Sequence, residues 1–155
     1  MGTVFQLLAT KGRTVHTIDR TATVFDAISK MVANNVGALV VQGGAQPCGI
    51  LTERDYLRKV ALHGRASRAT LVETIMSREL IHVGPDTTIE ACMALMTQNR
   101  IRHLPVFDGS ELIGLVSIGD IVKHLARDRQ EQIEQLTAYI QGAEMASTSC
   151  SPTLV

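Results

Sequence analysis

Two short segments of this 155-residue chain carry residue types and spacing suited to recognising a sugar and a phosphate: Thr52-Glu53-Arg54-Asp55 and Ser117-Ile118-Gly119-Asp120. Each sets a hydroxyl three positions ahead of a carboxylate, directly after an apolar run, Gly49-Ile50-Leu51 in one case and Gly114-Leu115-Val116 in the other. Where a buried strand hands over to a helix, the first turn offers unbonded backbone N–H groups and a partial positive charge to a phosphate, and the hydroxyl adds another donor. The carboxylate can accept from both hydroxyls of a ribose. The same residues also cap helices well: Thr or Ser at the N-cap with an acid three positions on is a variant of the capping box, stabilising by about 1 kcal/mol.

A carboxylate repels phosphate, so anion binding at this motif needs cations close by. Arg54 lies within the first copy, Arg100, Arg102 and His103 precede Leu104-Pro105-Val106, and Lys11 and Arg13 stand just ahead of the first strand. Pro105 has no N–H and interrupts strand pairing, which leaves backbone groups free at an edge a ligand could face.

The elements that must position these groups are read from a repeat. Asp55 and Asp120 are 65 positions apart, and at the same offset Asn34-Asn35-Val36-Gly37-Ala38-Leu39-Val40-Val41 falls on Asn99-Arg100-Ile101-Arg102-His103-Leu104-Pro105-Val106, and Met31 on Met96. One unit is present twice, each copy too small to bury its apolar face alone. In the first copy the order is a strand at 14–18, a helix at 23–34, strands at 38–42 and 49–51, and a helix at 53–62. Val24, Ala27, Ile28 and Met31 fall on one helical face, as do Ile89, Met93 and Met96 in the second copy. Ala38-Leu39-Val40-Val41 and Ile113-Gly114-Leu115-Val116 are continuous apolar runs, the pattern of strands covered on both faces. Gly43-Gly44 and Asp108-Gly109 mark hairpin turns. Residues 67–76 carry Leu71, Val72, Ile75 and Met76 at helical spacing and predict a connecting helix. Segment 1–13 reads as helical, 14–66 as the first repeat, 67–126 as the connecting helix with the second repeat, 127–141 as a C-terminal helix with Ile133, Leu136 and Ile140 on one face, and 142–155 as a flexible tail.

Composition excludes several functions. Fifteen basic and fifteen acidic residues cancel, so no net field steers the chain to a nucleic acid or an anionic membrane, and with 3% aromatic residues there are few rings on which bases could stack. No apolar run is long enough to span a bilayer, and the start lacks the features of a secretion signal. Cys48, Cys92 and Cys150 are odd in number and far apart, fitting neither a disulfide framework nor a paired zinc site, so a cytoplasmic setting is expected. His16, His63, His82, His103 and His124 show no metal-ligand spacing, and no nucleophile elbow, P-loop, dinucleotide fingerprint or zinc-protease motif occurs. The expectation is a protein without catalysis, metal or catalytic cofactor.

The repeated Gly-apolar-apolar-Thr/Ser-x-x-Asp pattern, over residues 14–126, resembles the CBS domain, named after cystathionine β-synthase, and two in tandem resemble a Bateman module. The resemblance implies an α/β (α+β) fold of two β-α-β-β-α repeats packed about a pseudo-two-fold axis, here with extra N- and C-terminal helices. It implies binding of AMP or NAD(H), with ATP, ADP or S-adenosylmethionine as alternatives, in two clefts between the repeats. Carried onto this chain, site one joins Thr52, Arg54 and Asp55 to Ile81, His82, Arg102, His103, Leu104 and Pro105. Site two joins Ser117 and Asp120 to Lys11, Arg13, Val15, His16, Gly37, Ala38 and Leu39. The aspartates take the ribose and the hydroxyl residues the phosphate. Site one collects more positive charge and site two has more room, so the more highly phosphorylated ligand is expected at site one. Family resemblance further implies a homodimer that acts on a protein effector in trans; the competing reading is a ligand-independent dimerisation module.

Overall fold

The computed structural model describes residues 1–148. Its elements are α1 (Val4–Lys11), β1 (Thr17–Asp19), α2 (Val24–Asn34), β2 (Ala38–Gly43), β3 (Gln46–Thr52), α3 (Glu53–Tyr56, running on as a π-helical segment, Leu57–Ala61), α4 (Val72–Ile75), α5 (Ile89–Asn99), β4 (His103–Asp108), β5 (Glu111–Ser117) and α6 (Ile118–Thr148). The helices α2 and α5 are built alike, as their sequences require. Thr23 and Thr88 cap them by accepting from the backbone N–H three residues on, at 3.2 and 3.1 Å, and Asn35 and Arg100 end them in the left-handed conformation. The strand pairs β2–β3 and β4–β5 are antiparallel hairpins whose two-residue loops, Gly44-Ala45 and Gly109-Ser110, open on a glycine with φ of +71° and +63°. Ala38, Leu39, Val40 and Val41 are all fully buried, so β2 is covered on both faces as its unbroken apolar run implies.

The first repeat has a three-stranded sheet ordered β1-β2-β3, whereas the second has only β4 and β5. Its opening strand shrinks to one parallel bridge, Val83 with Val106. Proline explains this. In the first repeat Val40 donates to the His16 carbonyl at 3.1 Å; the equivalent position is Pro105, which has no proton to give to Ile81. β1 itself lies at Thr17–Asp19, later than the expected 14–18.

There are two apolar cores, and they are closed crosswise. Val24, Ala27, Met31, Leu39, Val41 and Leu51 of the first repeat pack with Val72, Ile75 and Met76 of the connecting segment. Ile89, Cys92, Met96, Leu104, Val106 and Val116 of the second pack with Val4, Leu7 and Leu8 of α1. Each repeat is thus covered by the helix that precedes the other. Hydrogen bonds repeat the arrangement: Val4 and Phe5 donate to Thr87 and Pro85 at 2.9 Å, and Val72 and Glu73 donate to Ala22 and Arg20 at 2.9 and 3.0 Å. The connecting helix is a single turn, Val72–Ile75, in place of a helix over 67–76, because its apolar residues already seat on the core within that turn. No separate helix begins at 127: α6 runs unbroken from Ile118 to Thr148 and takes in the start of the expected tail. The remainder of that tail, 149–155 with Cys150, lies outside the described residues.

The motif glycines are fixed by the crossing. A Cβ on Gly49 would stand 2.7 Å from the Ser77 carbonyl oxygen and 2.8 Å from Met76 Sδ, and one on Gly114 would stand 2.8 Å from the Leu8 methyl carbons. Backbone cannot retreat as a Leu methyl can, and Ser77 is held by two bonds to Ile50, at 2.9 and 3.0 Å. Gly49→Ala is therefore expected to lower unfolding stability by about 2 kcal/mol, and Gly114→Ala by clearly less, measured as the shift in urea midpoint.

Candidate functional site

Both hydroxyl–carboxylate motifs fold as capping boxes. At the first, Thr52 N–H donates to Asp55 Oδ2 (3.0 Å), Thr52 Oγ1 lies 3.1 Å from the same oxygen, and Asp55 N–H donates back to Thr52 Oγ1 (3.2 Å). At the second, Ser117 N–H donates to Asp120 Oδ2 (2.8 Å) and Asp120 N–H to Ser117 Oγ (3.1 Å). Each motif is anchored one residue past its cap in the same way, Glu53 N–H donating to the Gly37 carbonyl at 3.0 Å and Ile118 N–H to that of Arg102 at 2.9 Å.

The carboxylates are mostly buried, with side chains 16% exposed at Asp55 and 18% at Asp120, and each is held by a lysine. Lys59, one turn along the same helix, reaches Asp55 Oδ1 at 3.1 Å. Lys11, at the end of the crossing helix α1, reaches Asp120 Oδ2 at 2.5 Å and also donates to the Leu115 carbonyl. Burial works to raise the Asp120 carboxyl, but the bonds from Lys11 and Ser117 outweigh it and hold it below the usual carboxylate range. Lys59 went unnoticed in the sequence, although an acid four positions before a lysine in a helix is a legible pairing signal.

The remaining candidates divide. Arg54 bonds the carbonyl of Arg100 at 3.3 Å, tying the first motif to the end of α5. Arg102 is exposed. His103 faces the other way from its assignment: a Cβ on Gly37 would stand 3.6 Å from its ring and 3.6 Å from the Glu53 carboxyl carbon, and the charges that bear on it are those of Asp120, Lys11 and Arg102. It therefore belongs with the Asp120 group. His82 is exposed, stacks edge-on to Phe107 with centroids 5.2 Å apart and bonds the Leu80 carbonyl at 2.9 Å. Leu39 and Leu104 point into the two cores, so only their backbone could meet a ligand. Ala38 and Pro105 are buried, and Ile81 packs against the second core. His16 lends its carbonyl to Val40. Arg13 lies 5.8 Å from the Phe5 ring and, with Val15 and Thr17, lines an open groove of about 600 Å³ beside the hairpin tips that does not include Asp120. A smaller cleft of about 260 Å³ does include it, walled by Leu7, Thr10 and Lys11 of α1 and by Lys123, His124 and Arg127 of α6. Among the described residues no group of three or more His, Cys, Asp or Glu could hold a metal ion. Burial pushes the Cys92 thiol up to about 11, so it stays protonated as a core residue.

A duplicated α/β unit whose strand-to-helix junctions each hold a mostly buried carboxylate within a capping box defines a tandem-repeat α/β class. The CBS domain family model matches residues 11–62 and 72–127, and this chain belongs to the CBS domain family. It is 50% identical over 125 residues to the mitochondrial CBS domain-containing protein CBSX3 of Arabidopsis thaliana, the alignment covering 77% of this chain and 61% of the relative. The chain thus spans under two thirds of that relative's length. A CBS-domain structure from Burkholderia ambifaria assigned to signal transduction superposes with a TM-score of 0.80 at 49% identity, covering 82% of this chain and 96% of that one. A hexameric CBS-CP12 protein from bloom-forming cyanobacteria gives a TM-score of 0.71 at 28% identity, covering 93% and 88%. CBS-domain proteins are typically regulatory. No described helix is long and apolar enough to cross a membrane.

Burial holds the His103 imidazole below its ordinary range; Asp120 opposes this, and Lys11 and Arg102 reinforce it. The unfolded chain then binds a proton that the folded one resists, so stability is complete above ~6.5 and falls as pH drops through that value. The Asp120 contribution is lost only at much lower pH, below the usual carboxylate range. Urea midpoints at pH 7.5 and 5.5 are expected to show the loss, and His103→Gln to reduce it.

Proposed function

We propose that this chain is a regulatory nucleotide sensor without catalytic activity, binding an adenosine ligand, AMP or NAD(H), at the Asp55 and Asp120 motifs and altering a partner protein through the change in shape that follows. The observation that carries this reading is that each motif presents a mostly buried carboxylate at a helix start, engaged by a partly exposed lysine that also donates to a backbone carbonyl, of Leu115 or of Ile75. A ribose can replace the lysine at the carboxylate while the lysine turns to the phosphate, so binding exchanges one set of charge-assisted bonds for another. In the second motif the exchange frees Lys11 on α1, a helix that closes the core of that repeat, which gives ligand binding a route to the fold. The proposed setting is a reducing compartment such as the cytosol; the Arabidopsis relative is named as mitochondrial.

A second reading, a ligand-independent homodimerisation module, is favoured by α6, whose Ile133, Leu136 and Ile140 are 50%, 62% and 55% exposed on one face. Calorimetric titration separates the two. AMP, ADP, ATP, NAD, NADH and S-adenosylmethionine are each titrated, with 2′-deoxy-AMP as the control lacking one ribose hydroxyl. Micromolar binding weakened for the deoxy compound, and weakened about ten- to a hundred-fold by Asp120→Ala or Asp55→Ala at its own site, is expected. Silence across the panel together with a stable dimer would establish the second reading.

A further inference from the structure

The cations of this electrically neutral chain are placed differently around the two motifs. Asp120, Lys123, His124 and Arg127 follow one another at intervals of three, one and three, the spacing that places residues on one face of a helix and that ordinarily carries an apolar stripe. Here the stripe is charged and faces α1, which presents Thr10 and Lys11 across a cleft of about 260 Å³. Lys123 and Arg127 are like charges four residues apart, a mutually repelling pair, and among the described residues neither has an ion-pair partner. Of the residues that line the cleft Asp120 alone is acidic, and Lys11 already neutralises it.

We propose that this cleft is a subsite for a chain of two or more phosphates, so that the Asp120 site selects a nucleoside di- or triphosphate, or a pyrophosphate-linked dinucleotide, over a monophosphate. The inference rests on the reading that Asp120 takes the ribose. At about 260 Å³ the cleft is smaller than a site that encloses a whole drug-sized ligand, which suits part of a nucleotide whose sugar lies at Asp120. Lys11, Lys123 and Arg127 then supply the opposite charge, Thr10 a hydroxyl, and the start of α6, a regular helix of 31 residues, its positive end. The first motif matches this arrangement only in part: Arg58 and Lys59 stand where Lys123 and His124 do, but Lys59 is already engaged by Asp55 and by the Ile75 carbonyl. Leu62, 82% exposed, stands where Arg127 does in the second repeat, and the covering helix α4 is one turn long, without the second turn on which α1 carries Thr10 and Lys11. The preference is thus the reverse of the one expected from Arg54, Arg102 and His103.

Calorimetric titrations of the full chain with AMP, ADP, ATP and inorganic tripolyphosphate at fixed ionic strength test this, with Arg127→Ala and Lys123→Ala compared with the unaltered chain and circular dichroism confirming their fold. ATP and ADP are expected to bind at least ten-fold more tightly than AMP, with either substitution weakening ATP about ten-fold and AMP less than two-fold. Equal affinity for AMP and ATP, or equal losses for both in Arg127→Ala, would overturn the subsite while leaving nucleotide binding intact. Tripolyphosphate binding that Arg127→Ala abolishes, with no nucleotide bound more tightly than tripolyphosphate, would support the subsite and overturn the adenosine reading. Silence from all four ligands would overturn both.

Discussion

Each half of this molecule is completed by a helix that belongs, in sequence, to the other half. Neither repeat offers a closed core without that contribution: Val4, Leu7 and Leu8 are fully buried against the second repeat, and Val72 and Ile75 against the first. The crossing requires close approach where the covering segment meets the strand leading into each motif: at Gly49 backbone leaves no room for a side chain, and at Gly114 the Leu8 methyl groups would have to move. The glycine that opens each motif therefore serves packing, while the hydroxyl and carboxylate that close it serve the helix start. One seven-residue pattern joins a steric requirement to an electrostatic one.

The same crossing makes the two motifs unequal. α1 is twice the length of α4, and its extra turn carries Lys11 onto Asp120 and Thr10 to the rim of the adjoining cleft. At Asp55 the neutralising cation comes instead from the next turn of the same helix, Lys59, which also donates to the Ile75 carbonyl at the end of α4, at 2.8 Å. A change at Asp120 therefore reaches α1 directly through Lys11, whereas a change at Asp55 reaches α4 through a lysine of its own helix. Arg54, bonded to the last carbonyl of the α5 cap, is the link from the first motif into the second repeat.

What could be read from the residues was what depends on near neighbours. The duplication, the helices α2 and α5 with their threonine caps, the hairpins and the capping geometry of both motifs all follow from spacings of a few positions. What could not be read depends on distant ones. Nothing local in Val4 to Leu8 says that they lie on Val106 and Val116, and the extent of α4 follows from how soon its apolar residues reach a core. Lys123, His124 and Arg127 read as an ordinary solvated helix face until α1 is laid beside them. His103 was assigned by its place in the repeat, yet a side chain on a first-strand position can turn to either cleft, and burial beside Gly37 turns it toward Asp120. Pro105 was legible as an interruption, and the lost opening strand of the second repeat is its direct consequence.

The crosswise closure also has the geometry of a swapped dimer. Two separate copies of one repeat, each lending its leading helix to the other, would form a symmetric swapped dimer with these same contacts. Joining the end of one copy to the start of the next leaves every such contact in place and changes only which of them lie within one chain. A duplication of this kind needs no new interface, because the interface was already there, and it frees the two formerly identical pockets to diverge. The extra turn of α1, and Arg127 where the first repeat has Leu62, are the places where the two pockets differ.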